Sequence, residues 1–459
     1  MAIQAFDLRP HAPSADDTAR HEVRPSRGIR IVSLLSLSMF TMVVGQLGRV
    51  PLLSAGAKEA PLLANDVMVA VAVVAGLWLS LRNRRLRIDA VTLVALGFAG
   101  VGGLSALMSL PRFGLSGFEL AFSLAYLVRW AVYMGLYIVV IDTLSPREGR
   151  QLLKAFEGAV LLFAGFGILQ SIFLPGFAQI VFPDAALYTQ WDPQGRRLVS
   201  TFLDPNLAGG LIMVALLLAS ARLVSGDPIP LWKPGLLVTA LVITMSRSSI
   251  LAFVAGLAVM ALLVRRVTWR ALAGSLLAMG VGLMAAPWLW RMADSFDRLS
   301  LNDASLLTRF VNWSRALTVL ADHPIVGVGF NTYGFVQLRY GFADLSQSAF
   351  GLDGGLLFIA VMTGFVGVTL YSILLFLVLQ ACNALWSSDR SSGDGSSNER
   401  SSVLDGAVGL GVAAATVALL IHSLFVNSII YPPIMQTMWI LWGIVVVLNR
   451  RSEPGELPE

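Results

Sequence analysis

Long apolar runs recur along almost the whole chain, and each is long enough to cross about 30 Å of hydrocarbon. Of the 459 residues, 56% are hydrophobic and 13% are charged, whereas a soluble domain carries about 25% charged residues. The runs do not alternate apolar and polar residues as the strands of a membrane barrel do. The sequence therefore predicts an all-α polytopic membrane bundle of about 12 transmembrane helices.

We place the spans where the apolar runs lie. The predicted spans are Ile31–Gly48, Leu62–Leu81, Ala90–Leu110, Glu119–Asp142, Leu152–Leu174, Leu207–Leu223, Gly235–Met245, Ile250–Val264, Ala271–Trp290, Gly354–Gln380, Val403–Val426 and Ile430–Leu448.

The seventh and eighth spans could instead be one helix interrupted at Ser246–Ser249. Lys and Arg concentrate in the short cytoplasmic loops of membrane proteins. Only if the two segments form a hairpin do Lys233 and the later basic loops share a side with the earlier ones. The charge pattern therefore predicts a hairpin with Arg247 at its outer tip.

This topology puts both termini in the cytoplasm and two long loops outside. The polar N-terminal stretch is expected to be a disordered tail and not a cleavable signal peptide. The predicted organisation is a tail at 1–30, spans 1–5 at 31–174, a periplasmic loop at 175–206, spans 6–9 at 207–290, a large periplasmic loop at 291–353, spans 10–12 at 354–449 with a flexible cytoplasmic linker at 386–402, and a cytoplasmic tail at 450–459.

The net charge of +5 does not indicate a nucleic-acid partner, because basic residues at span ends serve to orient a membrane protein. Cys382 is the one cysteine, so no intrachain disulfide can form. The four histidines are scattered along the sequence. We therefore expect no metal site and no cofactor.

The first long outer loop ends in two cations and a helix start. Asp204-Pro205-Asn206 is a good capping sequence, since Asn and Asp are both favoured at helix N-termini. Capping and a functional role are both open for Asp204 and Asn206. Orientation of the protein does not explain Arg196 and Arg197, which makes them candidates for binding an anion.

Arg247 lies between two short apolar segments and is flanked by small hydroxyl residues. It could be an interfacial arginine that extends to water. Alternatively, it lies in a cavity and presents its planar set of donors to a phosphate.

The second long outer loop contains apolar residues at helical spacing between Leu307 and Leu320, which predicts an amphipathic helix. Arg309 and Arg315 flank its apolar face. His323-Pro324 and the following glycines end the helix in a turn, and His323 is either a loop residue or a catalyst.

Arg129 falls near the middle of the fourth span. An ionisable residue at that depth is a functional candidate. The alternative is a structural ion pair, with Glu157 as the nearest acid by depth. His422 is expected to be a hydrogen-bonded residue of the bundle.

These motifs occur in an order that resembles one family. Thr-Phe-Leu-Asp-Pro-Asn opens a span, Ser-Arg-Ser forms a hairpin tip, an Arg–Trp–Ala-Leu helix leads to His-Pro-x-x-Gly-x-Gly, and Gly364-Phe365-Val366-Gly367 lies in a later span. The chain is similar here, from about Arg196 to Tyr371, to the O-antigen ligase and polysaccharide polymerase superfamily of bacterial inner membranes.

The resemblance implies a metal-independent glycosyl transfer at the periplasmic face, with a glycan on undecaprenyl diphosphate as donor. Arginines would then meet the charge of the leaving diphosphate, and the candidates for this role are Arg196, Arg197, Arg247, Arg309 and Arg315. Ligases of the family carry a His-Asn pair about eleven residues before Gly-x-x-Gly, where this chain has Asp353-Gly354. We expect Asp353 to be the base, and this substitution favours the polymerase branch.

Three other functions remain open: an O-antigen ligase with a lipid A-core acceptor, a transporter or lipid-glycan flippase, and a structural membrane subunit. A flippase should line a central cavity with charge from several spans, whereas this chain concentrates charge at one face. The expected partners of a polymerase are the lipid bilayer, the lipid-linked glycan, chain-length regulators and export proteins.

Overall fold

The computed structural model describes residues 31–55, 58–84, 86–182, 196–264, 304–342, 352–391 and 399–450. Ten helices in these ranges are long and apolar enough to cross a membrane, and Trp232–Thr244 is a shorter apolar helix. The all-α polytopic membrane fold is confirmed. The predicted ninth span, Ala271–Trp290, lies outside the described residues, as do the tail at 1–30 and residues 451–459.

The helices follow the predicted order. They are α1 Ile31–Val44, α2 Ala64–Arg82, α3 Ala90–Phe113, α4 Gly117–Thr143, α5 Pro146–Phe173, α6 Phe177–Val181, α7 Pro205–Val224, α8 Trp232–Thr244, α9 Arg247–Val264, α10 Ala304–Asp322, α11 Tyr333–Arg339, α12 Gly355–Ser391, α13 Glu399–His422 and α14 Pro432–Asn449. A short antiparallel hairpin, β1 Val50–Ala55 and β2 Lys58–Leu62, joins α1 to α2.

The predicted linker at 386–402 is mostly helical. Helix α12 continues to Ser391 and α13 begins at Glu399, so the two helices are separated only by residues 392–398, which lie outside the described ranges. Hydropathy marks where an apolar run ends, but the backbone hydrogen bonds of a helix can continue into polar sequence. The linker prediction was therefore too long.

Helices α8 and α9 form the predicted hairpin. Lys233 at the start of α8 lies beside the end of α7, because it shares Glu157 with Arg222. A Cβ on Gly209, near the start of α7, would contact Thr244 and Ser249, whereas one on Gly256 would contact Leu217. Helix α8 thus runs antiparallel to α7 and α9 runs parallel to it, which places Arg247 at a tip beside the start of α7.

Helix α12 is broken at Gly364, whose φ of 60° and ψ of −164° are not helical. The turn after α10 fills the break. A Cβ on Gly327 would lie 2.4 Å from the Val361 carbonyl oxygen, and one on Gly364 would lie 2.3 Å from that of Ile325. Four backbone hydrogen bonds join the turn to the break: Val328 N to Val361 O (2.9 Å), Gly329 N to Met362 O (3.0 Å), Phe365 N to Pro324 O (2.8 Å) and Val366 N to Ile325 O (3.1 Å).

These contacts explain why two glycine-containing motifs, far apart in sequence, occur together. An interrupted helix inside a membrane needs its freed backbone groups to be bonded by other protein groups. The turn supplies those partners, and Ser105 of α3 bonds the turn in return, with its Oγ 2.5 Å from the Val326 carbonyl oxygen. Gly327 and Gly364 therefore have a structural role, which is to fix α10 on α12.

The partner predicted for Arg129 was wrong. Arg129 pairs with Asp66, at 2.9 Å, and Asp66 also accepts a hydrogen bond from Tyr133 at 2.8 Å. Glu157 instead contacts Lys233 and Arg222. Depth along a helix does not specify which side it presents, so Arg129 faces the start of α2 and not α5. The contacts of Arg129 are those of a structural ion pair.

Candidate functional site

Asp204 caps α7 and lies among positive charges. Its carboxylate accepts hydrogen bonds from the backbone of Asn206 (2.8 Å) and Leu207 (2.9 Å), so Asp204 is the N-cap and Asn206 is inside the helix. Burial raises the pKa of Asp204, and these two hydrogen bonds and the charges of Arg197 and Arg309 oppose that rise. An acid, two arginines and a helix start therefore lie together.

Arg197 donates two hydrogen bonds to the C-terminal end of α8. Its Nε donates to the Thr244 carbonyl oxygen at 2.9 Å and its terminal nitrogen to that of Met245 at 3.2 Å. A cation at a helix C-terminus is favourable because it meets the unpaired carbonyls there. The preceding residue, Arg196, is exposed. The pair of arginines thus has one member bound to the α8–α9 tip and one facing solvent.

Arg309 and Asp353 join the large loop to this cluster. The Nε of Arg309 lies 3.6 Å from an Asp353 carboxylate oxygen, an ion pair beyond normal hydrogen-bond length. The Asp353 side chain is 48% exposed. The charge of Asp204 affects Asp353, and the charge of Arg309 affects both acids. Arg309 thus pairs with Asp353 and also influences Asp204, a carboxylate from a different part of the chain.

The backbone around Asp353 is fixed independently of its carboxylate. Trp313 of α10 donates to the Asp353 carbonyl oxygen at 2.6 Å. The first amides of α12 bond to carbonyl oxygens that follow α13: Gly355 N to Val426 O (3.4 Å) and Leu356 N to Ser423 O (3.3 Å). Backbone carbonyls therefore satisfy the first amides of α12. The Asp353 carboxylate does not bond them and lies near Arg309 instead.

Arg247 lies next to a buried polar network at the α8–α9 tip, because Ser246, the residue before it, belongs to that network. Ser246 donates to the Asn206 side-chain oxygen at 2.9 Å, and Ser249 lies 2.8 Å from Ser246 and 3.0 Å from His422 Nε2. His422 bonds Ser428 through its other ring nitrogen, at 2.9 Å, as expected for a bundle residue. The network holds the first turn of α9 while the Arg247 side chain is exposed.

The starts of α7, α9 and α12 thus come together beside arginines. Each helix N-terminus carries about half a positive charge, from amides without intrahelical partners. Arginines beside three helix N-termini suit a phosphate group, because the cations and the helix dipoles both favour a negative charge. Among the described residues, no group of three or more His, Cys, Asp or Glu side chains is placed to hold a metal ion.

Two predicted residues lie elsewhere. Arg315 is six positions after Arg309, which puts the two on different sides of α10, and its guanidinium lies over the Phe342 ring, 5.5 Å from the centroid. His323 contacts the Tyr340 hydroxyl at 3.1 Å and the Phe113 ring. Burial lowers the pKa of His323, and Arg112 adds to this.

Residues 235–372 match the family model described as O-Antigen ligase. This segment is similar to the O-antigen ligase family. It contains Arg247, Arg309, Arg315, His323 and Asp353, together with the broken helix and the turn that fills it. The resemblance to the O-antigen ligase and polymerase superfamily is therefore confirmed. No curated protein matches the chain.

The matched segment, residues 235–372, does not contain the whole site. Arg197, Asp204 and Asn206 precede it and His422 follows it, yet all four contact its residues or act on their charges. Arg196 also precedes it. Asp204 was missed as a member of the charge cluster, because its capping sequence explains an acid there without any further partner. The hydroxyl-rich flanks of Arg247 were the one sequence signal of the network.

Proposed function

We propose that the chain transfers glycans from undecaprenyl diphosphate to a sugar hydroxyl of a second lipid-linked unit, at the periplasmic face of the bacterial inner membrane. The observation that carries the proposal is the Arg309–Asp353 pair beside the starts of three helices. The match of residues 235–372 to the O-antigen ligase family supports the same class of reaction. In this reaction the bond from the anomeric carbon to the diphosphate oxygen breaks, and one to the acceptor oxygen forms.

The two halves of the reaction need opposite charges. The leaving diphosphate gains negative charge, which arginines and helix N-termini stabilise. Arg309, Arg247 and Arg196 are the cations proposed for it. The acceptor hydroxyl must lose a proton, and Asp353 is the proposed base, since a carboxylate within reach can take it. One base and one displacement give inversion at the anomeric carbon.

The acceptor decides between polymerase and ligase. The family model is described as a ligase, which would use a lipid A-core acceptor. We favour a polymerase because Asp353 occupies the place where ligases of the family carry histidine. A lipid-linked sugar hydroxyl is then the acceptor, and the product is a surface polysaccharide or an exopolysaccharide.

The proposed location of the site can be tested with reporter fusions. A fusion after Arg390 should report cytoplasm and a fusion at Ala343 should report periplasm, because an α12 that crosses the membrane lies between them. Fusions after Arg147 and Lys233 should match the first. The same compartment for Ala343 and Arg390 would contradict the proposed topology.

Arg247→Lys tests the diphosphate contact. Lysine keeps the charge but loses the planar donors that bind two phosphate oxygens at once. A lost charge-assisted hydrogen bond of about 1.5–3 kcal/mol corresponds to a loss of polymer synthesis of roughly 10- to 100-fold. The measurement is polymer per unit of membrane protein, with Arg339→Lys as a control at an exposed arginine of α11. Equal synthesis by Arg247→Lys and wild type would make Arg247 an interfacial anchor only.

A further inference from the structure

A second basic site lies at the opposite end of the bundle. A cavity of about 290 Å³ is lined by residues of α5, α7 and α8: Lys154, Glu157, Gly158, Leu161, Arg222 and Lys233. Asp204 marks the start of α7 and Arg222 lies near its end, so the cavity is about 25 Å along that helix from the candidate site. No step of the proposed transfer uses it.

Ion pairs hold two cations of this cavity in fixed positions. Glu157 bonds Lys233 at 2.6 Å and Arg222 at 3.3 Å, and Arg222 also pairs with Asp227 at 2.7 Å. These bonds hold the two cations against the cavity wall. Lys154 is exposed on the same wall. The three cations Lys154, Arg222 and Lys233 exceed the two paired carboxylates, Glu157 and Asp227, by one positive charge, and ion pairs already fix Arg222 and Lys233 in position.

Leu161 is the apolar side chain of the lining, and further apolar residues lie next to the cavity. Gly158 leaves room at the floor, where a Cβ would lie 3.8 Å from the ring of Phe40. Phe40 is 43% exposed, and Leu231 and Trp232 beside Lys233 are 72% and 60% exposed. Exposed apolar side chains at the end of a spanning helix face lipid, and an aromatic residue is typical of the headgroup level. A free inorganic anion would not use such a wall.

We propose that this cavity binds the headgroup of an anionic phospholipid, with the phosphodiester on Lys154, Lys233 and Arg222 and an acyl chain along Leu161 and Phe40. Basic pockets between membrane helices recognise anionic headgroups in this way. The site is separate from the glycan site, and its occupant is a lipid of the leaflet at that end of the bundle.

Native mass spectrometry of the full chain in detergent tests the proposal with defined lipids. Wild type should retain phosphatidylglycerol in preference to phosphatidylcholine. Each lysine near an anionic headgroup contributes a factor of about five, so Lys154→Gln with Lys233→Gln should lower phosphatidylglycerol retention by roughly 25-fold. Arg147→Gln is the matched control, because it removes an exposed cation of α5 that does not line the cavity, and it should leave retention unchanged.

Two competitors identify the source of the phosphate. Inorganic phosphate should not displace the bound phosphatidylglycerol, and undecaprenyl phosphate should displace it no better than phosphatidylcholine does. Displacement by undecaprenyl phosphate would make the cavity a substrate site, and displacement by phosphate alone would make it a simple anion site; either result would overturn the proposal. Equal phosphatidylglycerol retention by the double variant and wild type would also overturn it.

Discussion

Asp353→Asn should lower polymer synthesis by about 100- to 10,000-fold, because that is the usual contribution of a general base. Asparagine has nearly the same volume as aspartate, but its neutral amide cannot take the proton from the sugar hydroxyl of the acceptor. The start of α12 should persist, since its first amides bond the Val426 and Ser423 carbonyls and not the Asp353 carboxylate. The measurement is polymer made from lipid-linked repeat units by membranes with equal amounts of each protein.

Two further variants separate catalysis from structure at this position. Asp353→Glu keeps a carboxylate and should retain more activity than Asp353→Asn. Asp322→Asn, which alters the carboxylate that bonds Tyr340, should be close to wild type. Near-equal rates for Asp353→Asn and wild type would remove Asp353 from the mechanism and turn attention to His323.

The pH dependence follows from the surroundings of Asp353. Partial burial raises the pKa of Asp353 above the ordinary value of an aspartate although about half of the side chain is exposed, the charge of Arg309 lowers it, and the charge of Asp204 raises it. A base must be ionised to work, so activity should fall as the pH drops through this raised pKa. The acid limb of the rate profile should therefore lie above the ordinary aspartate range of about 3.9.

Arg309→Gln should lower polymer synthesis by about 100- to 1,000-fold, the effect of removing one group that stabilises transition-state charge. Glutamine keeps hydrogen-bonding groups but loses the positive charge between Asp353 and Asp204. Arg309 lowers the pKa of Asp353, so its loss should also move the acid limb of the profile to higher pH. Rates measured over a range of pH distinguish these two roles.

Higher pH should not restore the rate of Arg309→Gln if the arginine binds the leaving diphosphate. Full recovery at high pH would mean that it only keeps Asp353 ionised. Arg315→Gln is the control on the same helix, because Arg315 lies over Phe342, and its loss of activity should be much smaller. Equal losses for both variants would contradict the assignment of Arg309.

Hydropathy and charge were sufficient to predict the membrane bundle. Helix α3 was predicted from Ala90 to Leu110 and extends to Phe113, and the two-helix interpretation of 235–264 depended on the positions of basic loops. The hydropathy pattern does not predict the end of a helix that continues beyond its apolar run, as α12 does to Ser391. Sequence patterns also do not show that the turn after α10 supplies the hydrogen-bond partners at the break in α12, because this contact joins segments far apart in sequence.

Individual residues of the site were predicted more readily than their partners. The family resemblance pointed to Asp353, at the place where ligases carry histidine, and Arg247 was identified by its position between apolar segments. Sequence could not separate Arg309 from Arg315, since both flank one apolar face and only the packing of α10 shows which one meets Asp353. The same limit applies to Arg129, whose partner depends on how α4 is rotated against α2.

The most direct test of the account is glycan transfer by the purified wild-type chain in vesicles. These contain one undecaprenyl-diphosphate repeat unit as both donor and acceptor. We expect products of two or more repeats, with inverted linkages and one undecaprenyl diphosphate released for each bond formed. We also expect that Asp353→Asn makes almost none of these products. Movement of the lipid-linked unit across the vesicle membrane without any new glycosidic bond would contradict the account and would indicate a flippase.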